Sequence, residues 1–197
     1  MYSRAISPLL IRRLVNLDLE KKPALRFSRD MFLLSFYLRG IPFVDLVHLR
    51  KTDVKHNTIY YYRHKTRQQL SVHIESYAAQ IINRYKNESP YLLLILSLTG
   101  EDGYRQYKSA LRLYNQHLHT LSKMLRLSIP LTSYVARHSW ATTAKDEGVA
   151  ISVISESLGH TSEKVTHVYL ASFDNNAMSK ANKKVIATIH PNKKKKP

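Results

Sequence analysis

Residues 53–74 read DVKHNTIYYYRHKTRQQLSVHI, and within this stretch the hydrophobic period changes. Val54, Ile59, Tyr60, Tyr61 and Tyr62, then Leu70, Val72 and Ile74, follow an alternation that suits strands. His56-Asn57 and Thr66-Arg67-Gln68 interrupt it as turns, which predicts a three-stranded antiparallel ribbon. On both sides the spacing is helical. Ser7-Pro8 reads as an N-cap and first helical residue ahead of Leu9, Leu10, Arg13, Leu14 and Leu17. Pro23 opens a longer helix through Met31, Leu34 and Leu38 that Gly40 stops, and Pro42 starts a short one with Asp45 in its first turn. Beyond the ribbon, helices are predicted over 75–87, 104–125, 133–147, 150–158, 163–172 and 175–189, with Gly148 and Gly159 as left-handed stops. The expected fold class is mainly α with a small antiparallel β-ribbon. One domain is expected over residues 1–190, followed by a basic tail over 191–197 that is expected to be disordered.

The charge points outward from this fold to a partner. Among 197 residues, 31 Lys and Arg stand against 14 Asp and Glu, a formal net charge of +17. Lys193–Lys196 account for four of those charges, as a solvated tail would, and the other thirteen call for a polyanion. A content of 44% hydrophobic and 23% charged residues is that of a globular chain. The longest apolar run, residues 91–98, is broken by Ser97 and is too short to span a bilayer. The N-terminus has no secretory pattern, so a cytoplasmic protein with no membrane partner is expected. With no cysteine, thiolate metal sites and cysteine nucleophiles are excluded. The 5 glycines include no phosphate-cradling motif, which argues against a nucleotide cofactor.

No constellation of carboxylates converges in the sequence. Asp18/Glu20, Glu101/Asp102 and Asp146/Glu147 read as helix-end charges, and His117 with His119 and His160 with His167 lack a metal-ligand spacing. What remains is a basic chain with Arg, Lys, His and Tyr in suggestive places. Breaking a phosphodiester without metal requires a nucleophile, cations on the non-bridging oxygens and an acid for the departing alkoxide. Tyr, Arg and Lys supply these three, although composition does not say which residues they are.

The C-terminal half carries Ala136-Arg137-His138-Ser139-Trp140-Ala141-Thr142, then Leu158-Gly159-His160, then Tyr169 nine residues on. This ordered set resembles the tyrosine recombinases, also called phage integrases, over about residues 32–169, the span of that family's catalytic domain. The resemblance implies the family's catalytic-domain fold without its N-terminal core-binding domain. It implies Tyr169 as nucleophile, forming a 3′-phosphotyrosyl bond and releasing a 5′-hydroxyl. Arg137 would hold the scissile phosphate, His160 would hydrogen-bond a non-bridging oxygen, and Lys65, in Arg63-His64-Lys65-Thr66, would be the general acid. Arg63 and Arg67, alternating with Lys65, are expected to touch the DNA backbone. No metal and no cofactor are implied. The implied partner is duplex DNA, with a tetramer on DNA for full-length members and a monomer for the isolated domain. The implied activity is site-specific DNA recombination or integration by a mobile-element enzyme.

Two positions depart from the family pattern. The usual His of His-x-x-Arg is Tyr134 here, which can donate a hydrogen bond but accepts a proton poorly at neutral pH. That leaves His160 or water as base for Tyr169. The family's first arginine, three residues before an acidic one, falls at Pro42, and Arg39 one turn earlier is the substitute considered. The arrangement Arg39-Gly40-Ile41-Pro42-Phe43-Val44-Asp45 is similar to integrases of the Bacteroides conjugative-transposon type. The rival reading is a basic DNA- or RNA-binding protein with a decayed site. His138 and Trp140 are expected to pack behind Arg137, and the helix over 175–189 to fold back or dock on a neighbouring protomer.

Overall fold

The computed structural model describes residues 5–160 together with 162 and 166. The ribbon forms as its alternation dictates. Strands β1 (Val54–Lys55), β2 (Thr58–Tyr62) and β3 (Gln69–His73) lie in the order β1-β2-β3, all antiparallel. The β2–β3 register pairs Ile59 with Val72 and Tyr61 with Leu70 on the buried face. The other face, Tyr60 with Ser71 and Tyr62 with Gln69, is exposed. His56 and Asn57 close the β1–β2 turn with φ of 47° and 60°, as a two-residue hairpin turn needs.

Helix α1 (Pro8–Val15) starts at Ser7, whose hydroxyl accepts from the Leu10 amide at 3.4 Å. Helix α2 (Pro23–Tyr37) is the hub: Met31, Phe32 and Leu34 are fully buried, and the helix packs against α1, α4 (Ser76–Arg84), α5 (Gly100–Met124) and α6 (Val135–Asp146). Asp30, on α2, is also buried; it bonds Arg29, Arg84 and Tyr85, which fastens α4 to α2. Helix α3 (Phe43–His48) has Pro42 at its N-cap and is followed by a 3-10 turn at Lys51–Asp53. Helix α6 places Ala136, Ser139, Ala141 and Ala144 inward, small residues that let backbones approach. Ser139 also accepts from the Ile6 amide at 2.9 Å, fixing the segment just before α1 to α6. Helix α7 (Ile151–Leu158) ends at Gly159 with φ +64°, and Gly148 is likewise left-handed at +83°.

Helix α5 begins at Gly100, four residues before the expected Tyr104. Gly103 is admitted because its Cα lies against the Leu98 carbonyl, where a Cβ would come within 2.6 Å. Acidic Glu101 and Asp102 in the first turn favour the helix there. The apolar run over 91–98 adopts no regular element; Leu92, Leu93 and Leu96 turn into the core while the Arg50–Tyr91 bridge ties it to the ribbon side. The β2–β3 turn lies at His64–Thr66, slightly earlier than expected, with Arg67 left-handed at φ 58°. No helix among the described residues is long and apolar enough to cross a membrane. The helices expected over 163–172 and 175–189, the tail over 191–197 and Tyr169 lie outside the described residues.

Candidate active site

Arg137 sits on the first turns of α6, only 2% exposed. Its Nη1 donates to the Gly40 carbonyl at 3.1 Å, and its Nη2 to the Leu158 carbonyl at 2.5 Å. Nη2 also lies 3.2 Å from Nε2 of His160. Three separate stretches of chain, the α2–α3 loop, α6 and the α7 end, therefore converge on one guanidinium. Two left-handed glycines permit the convergence. A Cβ at Gly40, φ +71°, would lie 2.7 Å from Cα of Arg137, and one at Gly159 would crowd Leu70 at 3.0 Å and the Arg63 stem at 3.6 Å. Only a residue without a side chain fits the first position, where the obstruction is backbone.

The protonation of His160 follows from its partners. A guanidinium only donates, so Nε2 accepts from Arg137; Nδ1 then carries the hydrogen and donates to Thr166 Oγ1 at 2.8 Å. Burial pushes this imidazole down to about 4, with Arg137, Arg63 and Lys65 adding electrostatic opposition to a second proton. At neutral pH the ring presents a lone pair towards Arg137. The expected hydrogen bond from His160 to a phosphate oxygen thus requires Nε2 to acquire a hydrogen, by protonation or by exchange of tautomer, and to let go of Arg137.

Lys65 stands exposed on the β2–β3 turn. Its hairpin is held to the same centre because Thr66 Oγ1 donates to the Gly159 carbonyl at 3.2 Å. Tyr134 occupies the N-cap of α6, 45% exposed, with its ring 6.2 Å from that of His138. It lies three residues before Arg137, hence on the same helix face. Trp140 packs with Ala141, Ala144, Ile154 and Leu158, while His138 is half-buried. Tyr61, under the site, is no rival nucleophile. Burial and the neighbouring Asp45 push its phenol up to about 12, against the pull of Arg137, Arg63 and Arg39.

One expectation is corrected. Arg63 does not face outward beside Lys65 and Arg67: it is 4% exposed, and its Nη1 donates to Asp45 Oδ2 at 2.6 Å. The other Asp45 oxygen accepts from the His64 amide at 2.9 Å. The guanidinium facing Asp45 thus arrives from the ribbon, and Pro42 and Arg39 do not supply it. Arg39 has φ 56°, and its Nη1 reaches the Ser71 carbonyl of β3 at 3.5 Å; with Arg137 and Arg63 it is one of the guanidinium groups that act on the Tyr61 phenol. The signal for Arg63 was present in the sequence. Period two from Ile59 through Tyr61 puts residue 63 on the buried face. Nε of Arg63 is buried with no hydrogen-bond partner among the described residues, a donor left over at the site. Arg67 is exposed, as its expected backbone contact requires.

Comparison with known proteins follows the same lines. The sequence pattern of the phage integrase family matches residues 12–176. The tyrosine recombinase XerA of Thermococcus kodakarensis is 30% identical over 172 residues, 84% of this chain and 58% of that protein. The chain therefore spans little more than half the length of this curated relative. Among solved structures, the XerA recombinase superposes with a TM-score of 0.62 at 18% identity, covering 96% of this chain and 66% of the other. The Tn1549 transposon integrase in complex with a circular intermediate DNA gives 0.67 at 14% identity, over 94% and 66%. The catalytic domain of bacteriophage HP1 integrase gives 0.55 at 15%, over 95% and 94% of the two chains. At these identities the structural likeness is one of fold.

Proposed function

The chain belongs to the phage integrase family, and from that premise we propose that it cleaves and rejoins strands of duplex DNA through a covalent 3′-phosphotyrosyl intermediate on Tyr169. One observation carries the reading: Arg137 and His160, far apart in sequence, meet at 3.2 Å in a buried cationic centre to which the Lys65 hairpin is tied. Duplex DNA as partner is supported by the net charge of +17 and by the DNA held in the Tn1549 integrase complex. A tetramer is the assembly proposed on DNA.

In this reading Arg137 holds the two non-bridging oxygens of the scissile phosphate, because a planar fork binds two oxygens at once and keeps its charge. Arg63, with its leftover Nε, is the second guanidinium of the site and takes the place of the missing arginine at position 42. Tyr134 donates its hydroxyl to the same phosphate. Oη of Tyr169 attacks phosphorus, the bond to the 5′-oxygen breaks, and Lys65 gives that oxygen its proton. The phenol proton passes to the neutral imidazole of His160, whose basicity rises once a phosphate offsets the cations that now depress it. Thr166, three residues before Tyr169 in the sequence, is hydrogen-bonded to His160 at 2.8 Å.

The experiment is incubation with a pool of nicked duplexes randomised around the nick, where loss of the short fragment traps any covalent adduct. An adduct that survives denaturant and disappears in Tyr169→Phe is the expected result. Salt-sensitive DNA retention with no adduct would favour a non-catalytic binder.

A further inference from the structure

Beside the Arg63–Asp45 pair lies a concavity of about 300 Å3 that the chemistry above does not use. Five of its eleven lining residues carry rings, and the others are aliphatic or small, with Val44, Leu98, Thr99 and two glycines among them. His48 of α3 and His64 of the hairpin stack at 5.9 Å with planes 13° apart. Tyr107 of α5 follows His48 at 6.3 Å, Tyr104 follows Tyr107 at 6.5 Å, and Tyr91 and Leu96 close the far side. No carboxylate lines it among the described residues. Two cations stand at its edge: Arg50 lies 5.6 Å over the ring of Tyr91 and Lys108 5.7 Å over that of Tyr104. The nearby Glu101 and Asp102 are engaged by Arg105 at 3.9 and 3.7 Å.

We propose that this pocket receives one unstacked base of the DNA substrate, with the flanking phosphates on Arg50 and Lys108. Flat rings offer a base what it loses on leaving the helix, a π-face to stack on, and they do so for purines and pyrimidines alike. The volume sits at the lower end of small-molecule sites, suited to a nucleobase. Aromatic walls between two cations and without carboxylates match a nucleotide unit, apolar in the middle and anionic at each end. His64 directly precedes Lys65, so the pocket lies beside the hairpin turn that carries the proposed acid. This inference rests on the DNA-cleaving reading and adds to it a base-binding subsite.

The test uses the full chain and three labelled duplexes of one sequence: fully paired, with a single extrahelical thymine, and with an abasic residue in the thymine's place. Fluorescence anisotropy at fixed salt measures affinity. The thymine-bulged duplex is expected to bind about tenfold more tightly than the abasic one. In His48→Ala/Tyr104→Ala, whose side chains are exposed and whose folding is checked by melting, the two bulged duplexes are expected to bind equally. Equal affinity of the two bulged duplexes for the unaltered protein, with salt-sensitive binding throughout, would overturn the pocket and leave the DNA reading standing. A preference that persists in the double variant would place base recognition elsewhere and overturn it as well. Absence of salt-sensitive binding to all three duplexes would remove both readings.

Discussion

His160 is held neutral by its surroundings, and this makes a pH prediction. Its folded value of about 4 lies below the ordinary 6.5, so between those values the unfolded chain binds the proton and the folded chain does not. Stability from this residue is fully present above about pH 6.5 and is lost as the pH falls towards 4. Thermal melts from neutral pH down to about pH 5 should therefore show a steeper fall for the unaltered protein than for His160→Gln, which cannot take up the proton. Equal slopes would mean that the imidazole is not the group responsible. The ordered motif identified Arg137 and His160 without coordinates because both sit in short local patterns. The burial of Arg63, a residue expected at the surface as a DNA contact, was missed for the opposite reason. Its partner Asp45 lies 18 positions away in a different element, so the pair is legible only through strand parity. Once parity is applied at Tyr61, the buried guanidinium needs an acid, and Asp45 is available.

At the scale of elements, the β2–β3 hairpin is a short lever. It carries Lys65 on a solvent-exposed turn, while Arg63 at its base and Thr66 at its tip fasten it to Asp45 and to the Gly159 carbonyl. Removing the tip fastening should leave the fold intact and misplace Lys65, the acid in the proposed reaction. Thr66→Val keeps the shape and deletes one partly buried hydrogen bond, a change of about 1 kcal/mol in stability. Adduct formation should nevertheless slow by about tenfold to a hundredfold, because small displacements of a reacting group are costly. Thr66→Ser should restore the rate. A Thr66→Val rate equal to the unaltered one would show that the tether does not position Lys65. The period switch at Asp53 announced this ribbon, and proline and glycine marked most helix ends. Two features escaped that reading. The first turn of α5 hides behind two glycines, and the segment over 91–98 is apolar because it fills the core, with no period to betray a regular element.

At the scale of the molecule, the positive charge of the described residues around the site divides by depth. Arg63 and Arg137 are buried and engaged by Asp45, by carbonyls and by His160. Lys65, Arg67, Arg50 and Lys108 are exposed. Exposed cations release counterions when they meet phosphates, whereas buried ones act on a single phosphate already in place. Binding and cleavage should therefore separate under mutation. For the unaltered chain, affinity for duplex DNA should fall linearly on a double-logarithmic salt plot, and six neutralised phosphates would mean a loss of about a thousandfold between about 50 and 200 mM. Arg67→Gln should reduce that slope by about one and leave the cleavage rate at saturating DNA unchanged. Arg137→Lys should do the reverse. The slope should stay, because the charge stays and the site is buried, while adduct formation should fall by about a hundredfold or more, since one ammonium cannot reproduce a two-pronged donor. If both substitutions lowered slope and rate together, the division by depth would be wrong and Arg137 would have to be counted among the groups that the DNA meets first.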